Sequence, residues 1–543
     1  MAMTINALGA SGLGGDMKHD SPRAVLGAGL LYHARRRPDG VALTLGKRDI
    51  TYAEAAETAL RWAALIVDAN GAQPRRVGIL AHRSEVSYLG VLAALYAGAA
   101  FVPLNRRFPV DRTRAMADRA GLDALIVDEG SLHQLPEILR GMERKPIVLL
   151  PQSDASVRGE IVTTGARGVY TASDLASTVP LVAPAAVPED GLAYLLFTSG
   201  STGVPKGVPV THGNVRAFLG AAQARYGITP DDRLSQTFDQ TFDLSVFDLF
   251  MAWEHGARIC AMDPIELLAP FRYLERHEVT VWFSVPSVAA VLRRRGSLTP
   301  GRMPTLRWSL FCGEALPQEA AEAWQAAAPG SVVENLYGPT ELTIACTAHR
   351  WDPVAGAASC VHGNVPIGLP FPGLDPLVVD ERLKPVATGE TGELCMAGPQ
   401  TVPGYWQDAA LTVERFFERD GRRYYRTGDM VRFQDGHYVH LGRDDQQVKV
   451  GGYRVELGEI EAALRRAGCA EAVCLHLPDE DALVAVVTGV DDPAGLADAV
   501  GARLPAYMVP KAVRLIDQMP VNGNGKADRQ ALRSRFGTLA AAA

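Results

Sequence analysis

The sequence predicts a layered α/β protein with largely parallel sheets, and three observations carry that expectation. From about Ala24 onward, short apolar runs alternate with amphipathic helical patterns. One strand-like run, Leu192 to Phe197, breaks directly into a loop of Gly, Ser and Thr. The chain has 543 residues, enough for more than one domain and an ample core.

Taken in order, Met1 to Ser21 is rich in Gly, Ala and Ser and lacks a basic segment followed by an apolar core, so a disordered tail is expected there. Val41–Leu45, Arg76–Leu80, Ala100–Leu104 and Ala124–Val127 read as strands, and Tyr52–Asn70 and Asp111–Ala120 as helices. The uncharged run from Val86 to Leu104 is long enough to raise a membrane span. It divides better into a helix through Tyr96, a stop at Gly98 and a strand ending at Pro103. Val179 to Asp190 is Pro- and Ala-rich and reads as a surface connection.

Composition excludes several classes. With 47% hydrophobic and 21% charged residues the chain is ordinary globular protein, and a formal net charge of −7 gives no electrostatic case for nucleic acid or an anionic membrane. The seven cysteines form no Cys-x-x-Cys pair, so a reducing cytoplasm without structural disulfides or zinc is expected.

The chemistry concentrates in a few stretches. Thr198-Ser199-Gly200-Ser201-Thr202-Gly203 follows the apolar strand and leads to Pro205-Lys206-Gly207. Glycines let backbone N–H groups converge, hydroxyls add donors and Lys206 adds charge, a set suited to polyphosphate. No Gly-Lys-Ser or Gly-Lys-Thr occurs, so the loop is not a Walker A. In Phe242-Asp243-Leu244-Ser245, Asp243 stands among apolar residues; it is either capped structurally or awaits a cation. Asp239 and Asp248 read as surface or capping residues. Asn335-Leu336-Tyr337-Gly338-Pro339-Thr340-Glu341 puts an amide, an aromatic ring, a hydroxyl and a carboxylate around one tight turn.

The loop, these motifs and their order resemble the adenylate-forming superfamily of acyl-CoA synthetases, luciferases and nonribosomal peptide adenylation domains, over roughly Ala24 to Leu532. The resemblance implies an adenylation core at residues 24–444, including a β-rich subdomain, and a small mobile α+β domain at 445–535. Short tails, 1–23 and 536–543, lie outside these two. It assigns ATP to the Thr198–Gly203 loop, Lys206, Gly313, Glu314, Asn335, Tyr337, Gly338, Thr340, Asp429, Arg443 and Lys526. Asn335 reads the adenine edge, Tyr337 stacks on its ring, Asp429 accepts the ribose hydroxyls and Glu341 helps hold Mg²⁺. Lys526, with Thr340 and Glu341, forms the catalytic group; at about 4 Å and an effective dielectric of about 20, one such charge pair is worth roughly 4 kcal/mol against the repulsion of carboxylate and phosphate. Asp445 matches the hinge, and Gly452 the position past which a phosphopantetheine thiol travels. Gly451 replaces the arginine often found there.

By the same resemblance Asp243 holds the α-ammonium of an amino acid, and Leu244, Phe247, Phe283, Leu310, Cys312, Leu336, Ile344 and Ala345 line an otherwise apolar side-chain pocket. A polar side chain would be desolvated there at a cost of roughly 1–3 kcal/mol. The implied reaction is ATP-dependent activation of an apolar amino acid, L-proline first and alanine or a branched aliphatic next, with transfer to a separate carrier protein. An acyl- or aryl-CoA ligase and a silent homologue acting as a binding partner are the alternatives.

Overall fold

A computed structural model describes residues 25–200, 204–443, 447–521 and 527–540. Two large sheets form the core. In the first, strands run in the order Gly168–Thr171, Ile147–Leu150, Ala124–Val127, Arg76–Leu80, Ala100–Leu104, Leu192–Thr198 and Lys206–Thr211. All neighbours are parallel except the last pair, which folds back antiparallel. The second sheet has nine strands, with a parallel interior running from Val332–Tyr337 through Trp308–Phe311, Val281–Ser284, Arg233–Gln236 and Arg258–Ala261 to Val41–Leu45.

Two helices without a polar face join these sheets. Glu85–Tyr96 is buried along nearly its whole length, as is the first part of Leu244–His255. Their side chains share one core cluster with residues of both sheets, including Val77, Ile79, Leu43 and Val281. A helix that is apolar all round can only be stable inside such a sandwich. The run from Val86 to Leu104 is therefore core helix and strand, and among the described residues no helix is long and apolar enough to cross a membrane.

An antiparallel five-stranded sheet, Asp375–Val379 to His437–Arg443, forms the β-rich subdomain. The C-terminal part begins with a hairpin, Gln447–Val450 and Tyr453–Glu456, followed by the Leu457–Arg466 helix and a three-stranded sheet. Its last helix, Arg529–Phe536, buries the Phe536 ring, and Leu539 packs on the same unit. The Arg529–Phe536 helix and Leu539 thus pack as part of the C-terminal unit.

Candidate active site

The site lies where several parallel strands end, the place at which open α/β sheets present ligands. Antiparallel pairing sets Thr198 opposite Lys206, so the phosphate-type loop returns its lysine to the end of its own strand. Ser201, Thr202 and Gly203 lie outside the described residues. Thr198, Ser199, Asp243, Cys312, Gly313 and Tyr337 line a cavity of about 80 Å³, together with Gly338, Thr340, Asp429, Arg443 and residues of the C-terminal hairpin. The Thr198 hydroxyl is buried without a hydrogen-bond partner among the described residues.

At one end of the cavity, Asp429 is surrounded by donors. The Tyr337 hydroxyl donates to Oδ2 at 2.6 Å, His440 Nε2 lies 2.9 Å from Oδ1, and Arg443 Nη1 is 3.0 Å away. Burial alone would raise this carboxyl; His440, Arg443 and Tyr337 outweigh it and hold Asp429 well below the usual range. Asn335 donates its amide to the carbonyls of Val365 and Pro366, while its Oδ1 is buried and unpartnered, an acceptor suited to an exocyclic amine.

Glu341 sits on a single 3₁₀ turn, Thr340–Leu342, and is fully buried. Tyr405 donates to Oε1 at 2.6 Å and Arg454 Nη1 reaches both oxygens, at 2.8 and 2.7 Å. Burial opposes ionisation, yet Arg454, Lys206 and Tyr405 bring Glu341 down to about 2. Next to it, Thr343 and Ile344 adopt left-handed backbone (φ 57° and 73°), and Gln400 ties this turn down through the Leu342 and Ala345 carbonyls. The turn aims the Ile344 N–H at Asp243.

Asp243 closes the opposite end. Its carboxylate accepts the Ile344 N–H at 3.3 Å and has the Thr340 side chain beside it. Burial pushes it up to about 6, although Thr340 and the Ile344 N–H act to lower it. Leu244 and Cys312 stand with it at the cavity wall. The other pocket residues, Phe247, Phe283, Leu310, Leu336, Ile344 and Ala345, are all close to fully buried and do not reach this cavity. The rings of Phe247 and Phe283 pack edge to face at 5.0 Å, and Phe238 meets Phe283 at 4.9 Å.

The C-terminal hairpin enters the same cavity. Its two-residue turn, Gly451 and Gly452, has positive φ at both positions (55° and 82°), the geometry that favours Gly-Gly in a tight hairpin. The Gly452 N–H donates to Glu314 at 2.5 Å, and a Cβ at Gly452 would come within 2.3 Å of Val285 Cγ1. Glu314 also accepts the Ser287 N–H, at 2.9 Å. Beyond the turn, Glu456 pairs with Lys206 at 3.0 Å, the Ser199 hydroxyl donates to the Arg454 carbonyl at 2.7 Å, and the Gly200 N–H donates to Glu459 at 3.2 Å. Two carboxylates of the small domain therefore engage the donors that the loop offers to an anion.

Lys526 and Asp445 lie outside the described residues. Asp248 corrects the sequence reading: it is fully buried in the Leu244–His255 helix with no salt bridge among the described residues, and burial, opposed by Arg83 and the Thr237 backbone, raises it far above the usual range. An acidic residue inside an apolar run gives no local sign of which way it faces. Asp239 does cap, accepting the Thr241 N–H at 2.9 Å, and also meets His82 at 3.0 Å. Arg454, Glu456, Glu459, Tyr405, Gln400 and His440 were not singled out for this site by sequence reasoning.

The AMP-binding enzyme family matches residues 30–406, and its C-terminal domain matches residues 459–526. The chain belongs to this family of AMP-binding enzymes. The L-proline–[L-prolyl-carrier protein] ligase of Streptomyces coelicolor is 35% identical, the match covering 90% of this chain and 92% of that protein. The nonribosomal peptide synthetase CymA of Salinispora arenicola is 36% identical over 94% of this AMP-binding chain, which spans only 6% of that protein. Among solved structures, the adenylation domain AlmE of Vibrio cholerae, in complex with glycyl-adenosine-5'-phosphate, superposes with a TM-score of 0.83 at 30% identity, covering 96% of this chain and 99% of that one.

The donor set fits the groups such enzymes employ. Glu341, buried and held ionised, is a hard oxygen ligand that would suit Mg²⁺ once Arg454 withdraws.

Proposed function

We propose that this chain activates an apolar amino acid with ATP, forming an aminoacyl adenylate and pyrophosphate, and passes the aminoacyl group to the phosphopantetheine thiol of a separate carrier protein. The observation that carries the reading is Asp243: a buried carboxylate at the cavity wall that forms no salt bridge among the described residues, its partners being the neutral Ile344 N–H and Thr340 and its nearest positive charge Lys449 across the cavity. An α-ammonium supplies the missing charge; an acyl or aryl acid supplies none.

The remaining roles follow from position. Asn335 Oδ1 and the Tyr337 ring receive the adenine, Asp429 accepts the ribose hydroxyls in place of Tyr337 and His440, and Thr198, Gly200 and Lys206 hold the phosphates. Glu341 holds Mg²⁺, whose contribution is to neutralise charge on the departing pyrophosphate. Lys526 bridges the attacking carboxylate and the α-phosphate. The seating of Gly452 against Val285 and Glu314 supports a second conformer in which the hairpin, turning about Asp445, guides the thiol inward.

Because the cavity is only about 80 Å³ and Phe242, Leu244 and Cys312 wall it around Asp243, a compact side chain suits the pocket: L-proline first, alanine next. The similarity to the prolyl-carrier protein ligase supports the same order. The test is amino-acid-dependent ATP–pyrophosphate exchange with L-proline, glycine, alanine, valine, β-amino acids and benzoates. One strong signal with a compact α-amino acid is expected. Signal only with acids lacking an amine would move the enzyme to the acyl-ligase branch.

A further inference from the structure

The helix Pro286–Arg294 starts at the hairpin contact and leads away from it. Val285, just before it, packs on Gly452, and the Ser287 N–H shares Glu314 with the Gly452 N–H. The helix buries Pro286, Ala289 and Leu292. At 100° per residue the opposite face carries Ser287, Val291 and Arg294, all half-buried or exposed, with Ala290 at its edge packed partly on the core. This stripe is small and apolar near Gly452 and ends, about 14 Å along the helix axis, in three consecutive exposed arginines, Arg293, Arg294 and Arg295. Arg293 pairs with Glu319, and Arg295 donates to the Leu268 carbonyl at 3.2 Å. The Pro264–Leu268 turn packs beside the helix and leaves Ile265 72% and Leu268 51% exposed, two of the few large apolar side chains so placed.

We propose that this face is the docking surface for the carrier protein, an inference that rests on the function proposed above. A chain of net charge −7 gains nothing in solubility from clustering arginines beside exposed Ile and Leu, but the combination matches one partner chemistry. That partner is an acidic protein surface with an apolar spot, carrying an anionic phosphodiester at the root of a long thiol arm. The arginines take the acidic groups and the phosphodiester, Ile265 and Leu268 take the apolar spot, and the Ser287–Val291 stripe leads the arm to Gly452.

The experiment compares wild type with R294E/R295E, I265D and the conservative R294K/R295K, first against a panel of isolated holo-carrier domains. On a carrier that the wild type loads, R294E/R295E should raise the KM for carrier at least tenfold. I265D should raise it about threefold to tenfold, and R294K/R295K should stay within about twofold of wild type. Amino-acid-dependent pyrophosphate exchange, and aminoacyl transfer to free pantetheine, should be unchanged in all four proteins. The wild-type KM should rise with salt, and that of R294E/R295E should respond less. Carrier loading by R294E/R295E at wild-type efficiency overturns this surface and leaves the proposed function standing. A wild type that exchanges pyrophosphate but loads no carrier overturns carrier transfer, and this surface with it.

Discussion

Asp243 and the pair Asp429 and Glu341 are nearly equally buried, at 7%, 6% and 0% exposure, yet they titrate in opposite directions. Asp429 and Glu341 are ringed by donors, with His440, Arg443 and Tyr337 about one and Arg454, Lys206 and Tyr405 about the other, and both stay ionised. Asp243 forms no salt bridge among the described residues; burial outweighs Thr340, the Ile344 N–H and the more distant Lys449 and pushes it up to about 6. Burial by itself does not mark a ligand site. A carboxylate whose counter-charge is already supplied by the protein is finished; one without it is half of an ion pair. The Asp429 and Glu341 end of the cavity is furnished; under the proposed function, the Asp243 end waits for its amino acid.

The sharpest way to break this contrast is Asp243→Ala. Removing one partner of a buried pair should cost roughly 3–5 kcal/mol, a fall in kcat/KM for the amino acid of about a hundredfold to several thousandfold. ATP binding, measured by calorimetry, should be retained. A mutant equally active on amino acids would show that no ammonium is held there.

Gly452→Ala tests the furnished end, because it blocks the hairpin that brings Arg454 and Glu456. The left-handed backbone alone costs about 1–2 kcal/mol, and the added Cβ meets Val285. Carrier loading should fall about tenfold or more while pyrophosphate exchange persists; equal losses in both would separate the hairpin from thiol transfer.

The pH profile sharpens the comparison further. Below about pH 6 the free enzyme holds Asp243 protonated, so the KM for the amino acid should rise up to about tenfold per pH unit and stay flat above. Asp243→Asn should abolish that slope. The same substitution should stabilise the unliganded protein. A carboxyl raised from 3.8 to about 6 favours the fold below the unfolded value, and this contribution is lost as pH rises through about 6. Relative to wild type, Asp243→Asn should therefore gain on the order of 2–3 kcal/mol at pH 8 and almost none near pH 4, read as a shift in thermal midpoint.

Much of this was legible in the sequence. Val41–Leu45, Arg76–Leu80, Ala100–Leu104 and Ala124–Val127 fall on strands of the same bounds, since period, turn residues and helix caps are local signals. Asp243, Asp429 and Glu341 could be picked out because each sits in a short motif. What local pattern does not carry is who meets whom. Arg454 reaches Glu341 across 113 positions, and Glu459 reaches Gly200 across 259. Phe247 and Phe283 pack edge to face although 36 positions separate them, and no motif states an interplanar angle. Asp248 shows the converse: a charged letter in the sequence lies fully buried in the core, where burial pushes its carboxyl far above the usual range.

The hairpin has a further consequence. Glu456 on Lys206 and Glu459 on the Gly200 N–H use the donors that a departing polyphosphate would still be holding. Under the proposed function the small domain and pyrophosphate are then rivals for one seat, and the enzyme works as a turnstile: the second half of the cycle cannot begin until the first has discharged its by-product. Added pyrophosphate should accordingly slow thioester formation from preformed adenylate even where reversal of adenylation is blocked, and a cell that destroys pyrophosphate would be pushing this gate as well as the equilibrium.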